Sequence, residues 1–263
     1  MISGKTKIFG TLAHPVSHVR TPQALNPLFA ETGADAVLIP IEVAPEDLGT
    51  MMANLERMTN FQGGIITVPH KTTVLPYLSK ITARAEAAGA VNVIRRDAQG
   101  RFEGDLLDGE GFAVGFEMEG IEIRGKRIFI AGAGGAASAI AFGLAARGAG
   151  LITIANRSAA RAEKLAASLR QHFPAVEIVI NGAIEGHDLA INGTSLGLKE
   201  SDPMPFDPAA LSPDAVVAEV IMQPEETKLV LAARARGMHV HMGKWMLDGQ
   251  VREILRYLCP ETA

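Results

Sequence analysis

Apolar positions recur along this chain with two periods, and the order in which the periods alternate predicts its elements. Residues 7–11 read as a strand, 22–32 as a helix and 36–41 as a second strand, a β-α-β rhythm. A helix over 45–58 follows, then a short strand over 63–68 stopped by Pro69, then helices over 72–79 and 83–88. Residues 91–95 and 101–105 predict a hairpin across the turn Asp97-Ala98-Gln99-Gly100.

Past Asp108-Gly109 the character changes, and a second domain begins. A helix over 111–119 leads to a strand over 127–131, followed by helix 136–146, strand 151–155, helix 159–172 and strands 177–180 and 189–192. This is the pattern of a doubly wound parallel sheet. The proline-rich stretch 201–214 reads as a surface loop, before a strand over 216–221, a helix over 227–236, a short strand over 240–242 and a closing helix over 245–258. The fold class expected is α/β with two domains, since 263 residues exceed what one core usually organises.

Composition narrows the function. With 48% hydrophobic and 21% charged residues, the chain is far from the signature of disorder. A formal charge of -4 leaves no basic stripe for nucleic acid and no polybasic patch for a membrane, so a small-molecule substrate is expected, bound by a monomer or homodimer. The one cysteine, Cys259, admits no internal disulfide and fits a reducing compartment; residues 1–9 lack a signal-peptide core, so the cytoplasm is expected. The uncharged run 128–146 is long enough to raise a membrane-spanning helix. Its order, Ile128-Phe129-Ile130, then glycines, then alanines, reads instead as strand, turn and buried helix.

That turn is Gly132-Ala133-Gly134-Gly135-Ala136-Ala137, between a strand and a helix, the context in which a glycine-rich match points to a dinucleotide. Gly132 suits the tight turn, Gly134 lets the backbone approach a pyrophosphate at the helix N-terminus, and Ala137 takes the third glycine position. An ordinary glycine turn is the competing reading. Strand 151–155 ends in Asn156-Arg157-Ser158, without the acidic residue that would bind a free ribose 2′-hydroxyl. Arg157 and Arg161, one turn on, offer cationic forks for a 2′-phosphate, which favours NADP; the alternative makes both solvated helix-start residues.

In the first domain Thr67-Val68-Pro69-His70-Lys71 places a threonine and a lysine just past a strand, and Asp108 lies at the domain boundary. Read alone, such a lysine or aspartate is more often a surface charge. Thr67-x-Pro69-x-Lys71, Gly89-Ala90-Val91-Asn92, Asp108-Gly109, Gly132 to Ala136, Asn156-Arg157-Ser158 with Arg161, Asn192-Gly193-Thr194-Ser195-Leu196-Gly197 and Met246-Leu247-x-x-Gln250 nevertheless occur in order. Together they resemble the shikimate dehydrogenase family from about Ile8 to Tyr257. The resemblance implies an N-terminal α/β substrate domain, residues 1–109 completed by the C-terminal helix 245–263, and a Rossmann-type NADP-binding domain, 110–244. It implies Lys71 and Asp108 as catalytic pair, and Thr67, Asn92 and Gln250 as contacts to substrate hydroxyls. It adds Thr194, Ser195, Leu196, Val220 and Gly243 to the cofactor contacts, and Val19, Thr21 and Met222 stand at substrate-contacting positions. Oxidising a carbinol carbon requires its hydroxyl proton to leave, and a lysine tuned by burial and a nearby carboxylate can accept it.

Departures from the family concern recognition. Where the family has His-Ser-x-Ser-Pro, whose serines hold the substrate carboxylate, this chain has His18-Val19-Arg20-Thr21-Pro22. Thr21 keeps a hydroxyl and Val19 does not; Arg20 offers a substitute carboxylate partner. Ile65 replaces an asparagine, Leu106-Leu107 replaces Asn-Thr, and Met222 stands where tyrosine is common. A lost donor leaves a ligand oxygen unpaired, which puts shikimate itself in question and raises a different polyol as substrate. A folate-type one-carbon enzyme and a non-catalytic NADP-binding regulator complete the alternatives. His14, His18, His70, His239 and His241 lack metal-ligand spacing, so no metal is expected, and Trp245 reads as a packing residue.

Overall fold

The computed structural model describes residues 2–17 and 19–262, without the side chains of Leu247, Asp248 and Thr262; His18 lies outside it. Two compact units result, Met1–Leu107 with Val251–Ala263, and Asp108–Gln250.

The first unit is built on a six-stranded mixed sheet. Its strands are β1 (Lys7–Ala13), β2 (Ala36–Glu42), β3 (Phe61–Ile66), β4 (Lys80–Ile81), β5 (Val93–Arg96) and β6 (Phe102–Asp105), in the order β2-β1-β3-β5-β6-β4. The parallel β1–β2 pair is joined through α1 (Thr21–Glu31), while α2 (Leu48–Arg57) precedes β3. On one side Phe9, Leu25, Phe29, Leu38, Ile65, Val93 and Leu107 form a core with Ile254, Leu255 and Leu258. β5 and β6 pair antiparallel as the hairpin predicts, and Asp97 fastens its turn by accepting the N–H groups of Gln99 and Arg101, each at 2.9 Å. The helix expected over 72–79 does not form: the segment is a chain of turns ending in a 3-10 turn, Leu75–Tyr77. Pro76 removes a helix donor, and Thr72, Thr73 and Val74 are β-branched. The two-residue β4 after it escapes the sequence pattern, which is too short there to show a period. α3 (Ala83–Ala88) follows it, capped by Thr82.

The second unit is a parallel six-stranded sheet, β7 (Arg127–Ala131), β8 (Leu151–Ala155), β9 (Glu177–Ile180), β10 (Leu189–Asn192), β11 (Val216–Glu219) and β12 (Val240–His241). Its order, β12-β11-β10-β7-β8-β9, is that of a doubly wound Rossmann sheet whose direction of winding reverses between β7 and β10. Helices α4 (Asp108–Met118), α5 (Gly135–Ala146), α6 (Ala159–His172) and α7 (Lys228–Ala235) belong to this unit. Ala137 to Ala145 of α5 are buried without exception, which explains why the run 128–146 carries no charge. No helix among the described residues is long and apolar enough to cross a membrane.

The last helix, α8 (Lys244–Leu258), is divided between the units. Its first turns meet α4 so closely that a Cβ on Gly111 would lie 2.6 Å from the Gln250 backbone nitrogen, and one on Gly249 2.2 Å from the Gly111 carbonyl oxygen. Trp245 packs at the same crossing, its Cβ 2.9 Å from a Cβ built on Gly115.

Candidate active site

Loops at the carboxyl ends of β7 and β10 flank the reversal of strand order, where open α/β sheets bind ligands. After β7, Gly132 holds φ at +114°, and a Cβ there would lie 2.9 Å from the Gly193 carbonyl oxygen. The protein's own packing therefore requires this glycine. Gly134 and Gly135 are different: neither has a positive φ, and beyond the adjoining residues and the helix's own backbone nothing lies within 4 Å of a Cβ built on either. That open space sits at the first turn of α5, where unpaired N–H groups and the helix dipole favour an anion. Ala133 is half-buried, Ala136 is exposed on the same turn, and Ala137 is buried against Gly193.

No carboxylate stands at the end of β8. Asn156 donates its Nδ2 to the Ser158 carbonyl at 2.9 Å and its N–H to Asn181 Oδ1 at 2.9 Å. Arg157, Ser158 and Arg161 are exposed at the start of α6, and no carboxylate among the described residues engages either arginine. After β10, Asn192 is fully buried; its Oδ1 accepts the N–H of Thr194 at 3.0 Å and its hydroxyl at 2.7 Å. Thr194 and Leu196 are half-buried and Ser195 is exposed. Leu196 and Gly197, with Met204, Thr227 and Leu231, line a cavity of about 410 Å³. Val220 and Gly243 are neighbours, a Cβ on the latter falling 2.8 Å from the Val220 carbonyl oxygen. Met222 is exposed.

Asp108 begins α4, where the helix N-terminus favours its carboxylate. Gln250 Nε2 donates to its Oδ1 at 2.6 Å, a contact across 142 residues that the Gly111–Gly249 crossing makes. The acid and amide of the sequence reading thus meet directly.

In the first unit, the loop after β3 and the segment before β5 are tied together. Thr67 N–H donates to the Leu12 carbonyl at 3.1 Å, the Lys71 carbonyl accepts Val91 N–H at 2.8 Å, and the Asn92 carbonyl accepts Ile66 N–H at 2.9 Å. Asn92 is buried and its Oδ1 accepts the N–H of Leu107 at 2.8 Å, so part of this amide serves the backbone next to Asp108. Val19 is half-buried in the loop before α1, and Thr21 is the first residue of that helix. Ile65 and Leu107, apolar where the family is polar, are buried in the core of the unit, and Leu106 is also buried.

The sequence reading gave no partner to several buried polar groups. Asp105 accepts two bonds from Arg84, at 2.7 and 2.6 Å, and one each from the Thr82 hydroxyl and Leu106 N–H. His241, fully buried against the rings of Phe112 and Phe116, bonds Glu119 through Nδ1; burial lowers its pKa despite that partner. Glu219, a lone acid in the run Val216-Val217-Ala218-Glu219-Val220-Ile221, is fully buried. An acid inside an apolar strand was the available signal. No group of three or more metal-ligating side chains occurs among the described residues.

A doubly wound parallel sheet with an open glycine turn at its switch point defines a Rossmann dinucleotide-binding protein. The chain belongs to the shikimate dehydrogenase family: residues 11–94 match the shikimate dehydrogenase substrate binding domain, and 117–197 match shikimate / quinate 5-dehydrogenase. A shikimate dehydrogenase (NADP(+)) of Rubrobacter xylanophilus is 37% identical over 251 residues, covering 94% of this chain and 88% of the relative. Among solved structures, ligand-free 5-ketofructose reductase of a Gluconobacter strain superposes with a TM-score of 0.83 at 30% identity, covering 98% of this chain and 94% of that one. Shikimate 5-dehydrogenase of Listeria monocytogenes, in complex with shikimate and NAD, also gives 0.83, at 28% identity and 97% and 92% coverage.

Proposed function

We propose that this protein is an NADP-dependent dehydrogenase that interconverts a secondary alcohol and a ketone on shikimate or a related cyclic hydroxy acid, with Lys71 and Asp108 as the catalytic pair. The observation that carries this reading is family membership over nearly the whole chain; Lys71, Asp108, Gln250 and the glycine turn stand in the motifs that resemble the family. The residues present fit the cofactor. The open first turn of α5 suits a pyrophosphate, and the unengaged Arg157 and Arg161 suit a 2′-phosphate.

When bound, the nicotinamide ring accepts or returns a hydride. The chain's own residues do the rest. Lys71 takes the hydroxyl proton as the carbinol is oxidised and returns it on reduction. Asp108, at the start of α4 and hydrogen-bonded by Gln250, is the acidic member of the pair. Thr67, Asn92 and Gln250 orient the substrate hydroxyls, so that the reacting carbon is held in attack geometry.

A second reading is favoured by Val19: the same chemistry on a neutral polyol or its ketone. A valine cannot hold a carboxylate, and the similar 5-ketofructose reductase is named for a substrate of that neutral kind. Assays with NADP and shikimate, quinate and neutral cyclic or open-chain polyols, followed by reduced-nicotinamide absorbance, separate the two. Turnover of acids above all neutral polyols supports the first reading, the reverse order supports the second, and no turnover with any of them overturns both.

A further inference from the structure

Glu219 ends β11 with its side chain fully buried. Burying a carboxylate is costly unless donors replace its water, and here they do. Asn192 Nδ2 reaches both oxygens, at 2.9 and 3.1 Å, Ile221 N–H donates to Oε1 at 3.0 Å, and the Thr227 hydroxyl to Oε2 at 2.9 Å. Burial nevertheless holds the carboxyl above its ordinary range. Removing the acid alone would leave those buried donors without an acceptor, so acid and donors form one unit.

The donors come from three places: the end of β10, the loop after β11, and the N-terminus of α7, whose cap is Thr227. Asn192 extends the network. Besides binding Thr194, it donates from Nδ2 to the Leu196 carbonyl at 2.9 Å, and Leu196 N–H donates to the Thr194 hydroxyl at 3.0 Å. Gly197, at φ +115°, lies against Ile221 and Thr227. One buried acid thus ties the loop 194–197 to the rest of the sheet's carboxyl edge. That loop adjoins the glycine turn, since Gly132 packs on the Gly193 carbonyl at the switch point.

We propose that Glu219 is a positioning residue which, through Asn192, holds Thr194 to Leu196 in the geometry that aligns the nicotinamide end of the cofactor for hydride transfer. The proposal rests on the dehydrogenase reading above. Glu219 touches no reacting atom; it acts by keeping a loop that lines the site from drifting, and a shift of about 1 Å there costs on the order of a hundredfold in rate.

Glu219→Gln keeps the shape but turns an amide N–H₂ toward donors that need an acceptor. Its kcat falls roughly ten- to hundredfold. The affinity for adenosine 2′,5′-bisphosphate, which reports the far half of the cofactor site, changes less than twofold. Glu219→Asp, one methylene shorter, recovers part of the lost kcat. Asn192→Ala cuts the same link from the other side and loses a similar factor; the double variant loses no more than either single. This variant also carries the comparison if Glu219→Gln does not fold. An unchanged kcat in Glu219→Gln, equal losses of kcat and of bisphosphate affinity, or additive losses in the double variant overturn the proposal alone. A wild-type protein without turnover overturns the dehydrogenase reading and this proposal with it.

Discussion

The two units hold their candidate ligand contacts in opposite ways. In the second, the cofactor site is mostly backbone: a glycine turn, the N–H groups opening α5, and a loop after β10 held by a buried amide and acid. In the first, the candidate contacts are side chains, Val19, Thr21, Thr67, Lys71 and Asn92, carried on loops and the start of α1 over an apolar core. Backbone sites specify a class of ligand and tolerate sequence change around them. Side-chain sites specify which member of a class is bound, and one substitution rewrites them. The family's chemistry can therefore persist here while its substrate recognition moves.

The largest effect is expected at the reacting group. Lys71→Ala is expected to lower kcat by roughly two to four powers of ten while NADP still binds, because proton transfer matters chiefly in the transition state. Steady-state kinetics beside a cofactor titration check this; retained turnover removes Lys71 from the mechanism.

Next comes Arg157, proposed with Arg161 to set the choice between dinucleotides. Arg157→Ala should remove a charge-assisted bond of about 1.5–3 kcal/mol, raising the Michaelis constant for NADP roughly ten- to hundredfold and leaving NAD turnover nearly unchanged. Equal losses with both cofactors would return Arg157 to a solvated helix start.

A smaller effect tests substrate recognition. Val19→Ser should raise kcat/KM for shikimate by up to about tenfold, through one bond to a carboxylate, with little change for an analogue lacking the acid. Ile65→Asn is a poorer partner for it than the sequence implies. Ile65 sits in the core with Phe9, Val93 and Leu107, so an asparagine there buries an amide and costs on the order of 1–3 kcal/mol of stability. Efficient shikimate oxidation by the unmodified protein would show that Thr21, with or without Arg20, holds the carboxylate unaided.

The smallest effect is on acid stability. Burial depresses the folded-state pKa of His241 below its ordinary 6.5, against the pull of Glu119 and with a small push from His239. The unfolded chain therefore takes up a proton before the folded one does. The stabilisation is complete above about pH 6.5 and is lost as the pH falls toward the folded-state pKa. Melting temperature should drop across that window, and more shallowly in His241→Gln; parallel slopes would acquit His241.

Much of this was legible along the chain, because it is local. A glycine turn between a strand and a helix, an Asp-x-x-Gly hairpin, and strands alternating with helices are each written within a few neighbouring residues, and all are present. Where a local signal was weak it misled: residues 72–79 have helical spacing but contain Pro76 and three β-branched residues, and they form turns.

The order of residues settles the α/β class, the Rossmann turn, the absence of an acid after β8, and which side chains have the types the reaction needs. The tertiary structure alone decided which of those side chains meet. Gln250 reaches Asp108 because Gly111 and Gly249, far apart in sequence, let two helix backbones touch. Glu219 gathers Asn192, Ile221 and Thr227 because parallel strands bring three distant loops to one edge. Ile65 is core because β3 turns it inward, and Leu107 because the link after β6 packs it on the same cluster. Periodicity reports which face of an element is buried, but the partner on that face is set by packing between elements, and no local spacing encodes it.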